Sequence, residues 1–179
     1  DYIPGHAHAD TLSFELSIGD ERVFVNTGTS QYTNTERRLE ERRTAAHSTV
    51  EVNDLCSSQV WGSFRVGKRA SVIERNARCE PTVAILNASH DGYKNIFGGP
   101  IHKRCLILSD NALYVSDELT EISQRATARF YLHPNLEVRL QKNTIEIIGK
   151  HFKMASEFVD LSPRLVKSTW HPGFGLSEP

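Results

Sequence analysis

Cysteine is scarce and badly spaced for metal or redox work. Cys56, Cys79 and Cys105 form no CxxC pair, which excludes a zinc ribbon and a thioredoxin-like motif. An odd count at such wide spacing builds no disulfide framework, although one bridge remains open, and all three are expected as buried small hydrophobes. Excess charge is missing as well: 21 Lys+Arg against 22 Asp+Glu leave a net charge of −1, so nothing in the overall balance favours nucleic acid as a partner. Any acidic ligand must be met by a local patch. No apolar run approaches the roughly 20 residues that cross a bilayer, and no charged-then-apolar leader precedes the chain, so no membrane insertion is expected. An initiator Met is also lacking. The chain opens at Asp1 and reads as an excised piece with something upstream.

What the sequence does have is short β-rich runs from end to end. TLSFELSI, RVFVN, STVEVN, VWGSFRV, ASVIERNA, TVAILNAS, KRCLILS, ALYVSDEL, ATARFYLH, LEVRL, TIEIIG and FKMASEFV are separated by turn chemistry such as Gly19-Asp20, Asn53-Asp54, Asp91-Gly92, Gly98-Gly99-Pro100, Asp110-Asn111 and Pro134-Asn135. Alternation is clear where Leu136, Val138 and Leu140 face away from Glu137, Arg139 and Gln141, and again at Ile145 and Ile147. About a dozen half-buried strands without a long helical period predict an all-β fold, an antiparallel β-sandwich of one domain over residues 1–179. The polar stretch from Thr33 to Arg43 is the exception and reads as a helical turn or a long hairpin loop. Most of its four arginines are expected on a solvated face; the rest are expected near a pocket, meeting an anionic ligand. The Gly/Pro-rich tail from Trp170 to Pro179 is expected to be irregular.

The most loaded string is PGHAHADTLSFEL, near the start. If extended, it would carry His6, His8 and Asp10 on one side, in parity with Leu12, Phe14, Leu16 and Ile18. Imidazoles on a core-facing side need partners, because a buried polar ring left unpaired costs about 1–3 kcal/mol.

Several ordered motifs carry a resemblance. GHAHADTLSFELSIGDERVFVNTGTSQY is similar to an HxHxDxLSF segment followed by an acidic-Gly-Thr segment. RRTAAHSTVEVN is similar to an Arg-Ser/Thr-x-Ala-His-Asn-Thr-Val stretch, and VWGSFRVGKRA, HDGY, HKR and RFYLHP follow in the same order. From about Gly5 to Pro134 the chain thus resembles the heparinase II/III-like polysaccharide lyases, specifically their C-terminal β-sandwich domain. The resemblance implies an α/α-toroid domain N-terminal to this one, a cleft between the two, and cleavage of acidic polysaccharide by β-elimination. It also implies a periplasmic or secreted setting. His6 matches the cleft histidine, His8 and His47 match histidine ligands of a metal, usually zinc, and Asn26 stands where an aspartate ligand is expected. A neutral amide is a poorer zinc ligand than a carboxylate, which leaves the site weakened, completed by Asp10 instead, or empty.

In β-elimination a base removes the proton on carbon 5 of a uronate and the oxygen on carbon 4 leaves. The adjacent carboxylate must be neutralised first, by a His, Asn or Arg aimed at it. By resemblance the base Tyr lies in the toroid, so this domain alone is expected to be inactive. His6 is expected to bind or polarise substrate, with Tyr32 as a second cleft residue. Arg42, Arg43 and Trp61 are the substrate-binding candidates, and Phe64 is a further aromatic on which a sugar ring can stack. His90, His102 and His133 are read as structural.

Two other classes compete with the lyase. A cupin also begins with Gly and HxH but wants a Glu three or four residues after the second His, whereas Glu15 comes too late and with the wrong parity. A non-catalytic carbohydrate-binding or scaffold sandwich is the stronger rival, because Asn26 fits it.

Overall fold

The structure is a computed structural model that describes residues 4–121 and 125–179. The chain forms two compact units, Asp1–Ser13 with Tyr32–Arg129, and Phe14–Gln31 with Phe130–Pro179. In chain order, β1 (Leu16–Ile18) and β2 (Glu21–Phe24) precede helix α1 (Glu36–Arg42), a 3₁₀ turn (Thr44–Ala46), β3 (Val50–Val52), β4 (Val60–Trp61) and β5 (Arg65–Val66). They are followed by β6 (Val72–Glu80), β7 (Val83–His90), helix α2 (Gly92–Phe97), β8 (His102–Ser109), β9 (Leu113–Leu119) and β10 (Ala126–Ala128). The last three are β11 (Glu137–Gln141), β12 (Thr144–Ile148) and β13 (Lys153–Glu157). Strand makes up 40% of the chain and helix 9%, so the class is all-β, as expected of an antiparallel sandwich. Every pairing between these strands is antiparallel.

In the first unit, β6, β7, β8 and β9 form a meander, β3 pairs with β10, and β4 with β5. Its apolar core joins Val50 and Val52 of β3 to Tyr93 of α2, with Leu119 and Ala128 packed against them. The buried Tyr93 hydroxyl donates to the Val50 carbonyl at 2.7 Å, which satisfies the polar tip of an otherwise apolar contact. Helix α1 starts where Thr35 Oγ1 accepts from the Arg38 N–H at 3.3 Å, with Glu36 in its first turn and Arg42 in its last, both favourable to the helix dipole.

Three expectations need correcting. VWGSFRV is a hairpin and not one strand: Gly62 takes φ +55°, a left-handed corner that suits glycine, and folds β5 back on β4. The segment carrying His6, His8 and Asp10 is not extended either. Turns close at Ala7 N to Pro4 O (3.0 Å) and Ser13 N to Asp10 O (2.9 Å), Leu12 has φ 63°, and strand begins only at Leu16. The shared-face parity of those residues therefore fails. The cysteines are free, and Cys79 is exposed because β6 is exposed along its whole length.

In the second unit, β1 and β2 form a hairpin and β11, β12 and β13 a three-stranded meander. Ile145 and Ile147 of β12 are buried, as their alternation predicted, and Phe14, Phe24 and Phe130 meet edge-on or tilted with centroids 5.5–6.1 Å apart. Gly28 (φ +84°) bridges His171 so closely that a Cβ would lie 2.1 Å from the His171 carbonyl oxygen. The tail from Trp170 is irregular apart from the Gly28–His171 and Trp170–Glu178 bridges.

Candidate functional site

The chemistry-bearing residues of the first unit gather where the His6–Asp10 loop, helix α1, the 3₁₀ turn and the β4–β5 hairpin meet. Hydrogen bonds fasten the loop to the α1 side of the unit: Ala9 N donates to Arg42 O at 2.8 Å, Thr44 Oγ1 to Ala9 O at 2.7 Å, and Thr49 Oγ1 to Thr11 O at 3.0 Å. That fastening sets His8 beside His47, which the 3₁₀ turn delivers and which is wholly buried.

His8 Nδ1 lies 3.3 Å from His47 Nε2, and His8 Nε2 lies 3.3 Å from Arg38 Nη1. A guanidinium only donates, so Nε2 of His8 carries the lone pair and its proton sits on Nδ1, where it is donated to His47. Burial lowers the His8 pKa to about 3, with His47 and Arg38 adding to the effect, and burial lowers His47 to about 4. Both rings are therefore neutral at pH 7. Zinc–nitrogen bonds of about 2.0–2.1 Å at tetrahedral angles also set two ligand nitrogens about 3.3 Å apart, so the pair has both the bite and the charge state for a metal. Among the described residues no third His, Cys, Asp or Glu joins them. Burial raises the Asp10 pKa, which disfavours the carboxylate a metal would want. Asn26 belongs to the second unit, where its Oδ1 accepts the Gly28 N–H at 3.0 Å.

His6 is exposed and stands edge-on to Tyr32 (centroids 5.2 Å apart) and Phe64 (5.7 Å), while Arg38 Cζ lies 5.2 Å from the Tyr32 ring. Tyr32 is 40% exposed, beside an exposed imidazole. His6, Tyr32, Phe64 and Arg38 thus adjoin the His8–His47 pair through Arg38, which touches both His8 and Tyr32.

The four arginines of the Thr33–Arg43 stretch divide two and two. Arg37 and Arg43 are solvated and pair with Glu41 and Glu36, at 3.6 and 3.3 Å. Arg38 and Arg42, four residues apart on one helical face, are 1% and 0% exposed. Arg42, expected on the substrate, spends all five N–H donors on backbone: Nε and Nη2 on Ala7 O, Nη1 on Trp61 O and Gly62 O, and Nη2 also on Arg65 O. No donor remains for a ligand, so its task here is to bind the hairpin to the histidine loop. Trp61 is 50% exposed on that hairpin, with Arg65 Cζ 4.7 Å from its ring.

Sequence reasoning missed a second polar cluster. The Gly92 N–H donates to His90 Nδ1 (3.1 Å), so His90 Nε2 carries the proton that meets His102 Nδ1 (3.1 Å), and His102 Nε2 donates to Asp117 Oδ1 (2.7 Å). Arg104 clamps both oxygens of Asp117, through Nε at 2.8 Å and Nη2 at 2.9 Å, and its Nη1 reaches the carbonyls of Leu12 and Ser48 at 2.8 and 2.6 Å. Leu12 and Ser48 flank the histidine segments, so this cluster holds the site from beneath. A signal was present: His102 and Arg104 share parity on β8, opposite Asp117 of β9, where an apolar inner face was due.

The family model described as heparinase II/III-like, C-terminal, matches residues 1–179. Comparison with the curated proteins finds no match, and neither does comparison with the solved structures.

Proposed function

Since this chain belongs to the heparinase II/III-like family as its C-terminal domain, we propose that it forms part of a polysaccharide lyase cleaving uronate-containing acidic polysaccharide by β-elimination. The observation that carries this reading is the exposed His6 against Tyr32 and Phe64, on the loop that also brings half-buried His8 to buried His47. In the reaction a base takes the proton from carbon 5, the electron pair forms the carbon 4–carbon 5 double bond, and the carbon 4 oxygen leaves with a proton. His6 binds the uronate carboxylate and draws charge from the developing carbanion, and Tyr32, whose ring stands 5.2 Å from the imidazole, contacts the same sugar. Trp61 and Arg43 serve as outer substrate contacts, Arg42 as the residue that positions the hairpin. The base and a second neutralising group belong to an N-terminal α/α-toroid domain, and the setting is periplasmic or secreted, where such polysaccharides are met.

His8 and His47 would hold a divalent metal such as zinc, which supplies a cross-link between the N-terminal loop and the 3₁₀ turn. Metal analysis of chelator-free protein tests this independently of turnover: near-stoichiometric zinc supports it, and none refutes it.

The test of the lyase is ultraviolet absorbance of unsaturated uronate released by the full-length protein. His6→Ala should lower kcat at least about 100-fold with an unchanged melting temperature. The amide at Asn26, engaged by Gly28, favours one other reading, a sandwich that binds carbohydrate without cleaving it. Tight binding of acidic oligosaccharide by the full-length protein with no rise in absorbance selects that reading.

A further inference from the structure

The β4–β5 hairpin carries an arrangement that the cleft histidines do not use. Trp61 and Arg65 are direct cross-strand partners, and the Arg65 guanidinium rests 4.7 Å from the centre of an indole that is half exposed. An exposed indole is costly to leave in water, and a stacked guanidinium is already oriented. Arg22, Arg43 and Arg139 are also exposed, yet each is held by a glutamate within 3.3 Å, whereas no carboxylate of the described residues comes within ion-pair distance of Arg65. From Leu55 to Ile73 the sequence contains Arg65, Lys68 and Arg69 and neither Asp nor Glu. In a chain of net charge −1, that stretch of sequence is locally positive, with the Asp91 carboxylate meeting only its far end at Ser71.

The hairpin is also rigid. The backbone carbonyls of Trp61, Gly62 and Arg65 all accept from buried Arg42, which holds Ala7 between the two histidines as well, and Arg38 Nε donates to Ser63 O at 3.4 Å. Ordering the hairpin costs nothing further when a ligand arrives, because the tertiary structure has already done it. At the hairpin tip the Phe64 ring lies 5.7 Å from the His6 ring, which puts the hairpin beside the residue read as binding the uronate.

We propose that Trp61 and Arg65 form a subsite for an acidic sugar adjoining the one at His6, in which the indole stacks on the sugar ring and Arg65 pairs with its carboxylate. This rests on the reading of the protein as acting on acidic polysaccharide, and it adds a residue that discriminates acidic from neutral chains. A planar guanidinium meets a carboxylate through two parallel hydrogen bonds, and such charge-assisted bonds exceed neutral ones in strength. A neutral sugar at the same place retains only the stacking.

The experiment compares a uronate-containing oligosaccharide with its carboxyl-reduced counterpart of equal length, binding to the full-length protein by calorimetry. Arg65→Gln should weaken binding of the acidic chain about 10-fold and leave the reduced chain within 2-fold. Trp61→Ala should weaken both. Both side chains are exposed, and unchanged melting temperatures verify the fold. If Arg65→Gln weakens both oligosaccharides equally, or neither, while the parent still binds and cleaves the acidic one, the subsite is refuted and the lyase stands. If the parent binds neither oligosaccharide, the reading beneath it falls as well.

Discussion

Nη1 of Arg104 donates to the carbonyl of Ser48 at 2.6 Å, gripping the chain one residue beyond His47. The same nitrogen holds Leu12 O at 2.8 Å, at the far end of the loop that bears His6 and His8. One guanidinium, fixed by Asp117 on the neighbouring strand, therefore sets the spacing of the two histidine segments. It also stabilises the left-handed backbone at Leu12 (φ 63°), a conformation that a residue of this kind does not adopt without support.

Asp117→Ala should cost about 3–5 kcal/mol, because it leaves the nearly buried Arg104 charge without its partner. Denaturant unfolding measures this. A loss below about 1 kcal/mol would show that the Leu12 and Ser48 carbonyls alone are enough to hold Arg104.

Arg42 and Arg43 are adjacent in sequence and should behave oppositely. Arg42→Met orphans the carbonyls of Ala7, Trp61, Gly62 and Arg65 and should cost about 3 kcal/mol or more, with freer access of iodide to Trp61 fluorescence. Arg43→Met removes one solvated pair with Glu36 and should stay within about 0.5 kcal/mol. Equal losses in the two variants would contradict the burial pattern of α1.

Acid should weaken the first unit well above the carboxylate range. His47 and His90 are wholly buried and their pKa values are depressed from 6.5 to about 4 and about 3, chiefly by burial. Below pH 6.5 the unfolded chain takes up protons that the folded chain refuses, so stability is complete above 6.5 and falls as the pH drops toward the folded values. By about pH 4.5 each ring costs about 2 kcal/mol relative to neutral pH. The Asp117 pKa is also lowered, by hydrogen bonds from His102 and Arg104 that outweigh its burial, and adds a further loss only below its ordinary value of 3.8. Melting temperature against pH reads the slope, and a flat profile between neutral pH and about 5 would rule the mechanism out. His90→Asn should make that profile shallower.

Arg38 should oppose metal binding. Its contact with His8 Nε2 keeps the proton on Nδ1, the nitrogen that faces His47, so His8 would have to give up that proton to serve with His47 as a ligand. Arg38→Gln should therefore tighten zinc binding about 10-fold or more in a competition titration, while His47→Ala should abolish it. Unchanged affinity in Arg38→Gln would remove Arg38 from that role.

Much of this protein was legible in its sequence. Period-two alternation and turn residues located most of the strands, TLSFELSI and VWGSFRV being the exceptions, because both are properties of neighbouring residues. The motif order identified the family, and the matched histidines His8 and His47 do meet. Tertiary structure decided the rest. Four similar arginines divide into a buried pair and a solvated pair because α1 presents one face to the loop and the hairpin. The His6–Leu12 run bends into turns because its carbonyls and amides are claimed by Arg42, Thr44 and Arg104, which lie from about thirty to ninety residues further along the chain. Hydrogen-bond partners across such separations leave no periodic trace, so the anchoring by Arg42 and the grip of Arg104 on Leu12 and Ser48 emerge only when the chain has folded.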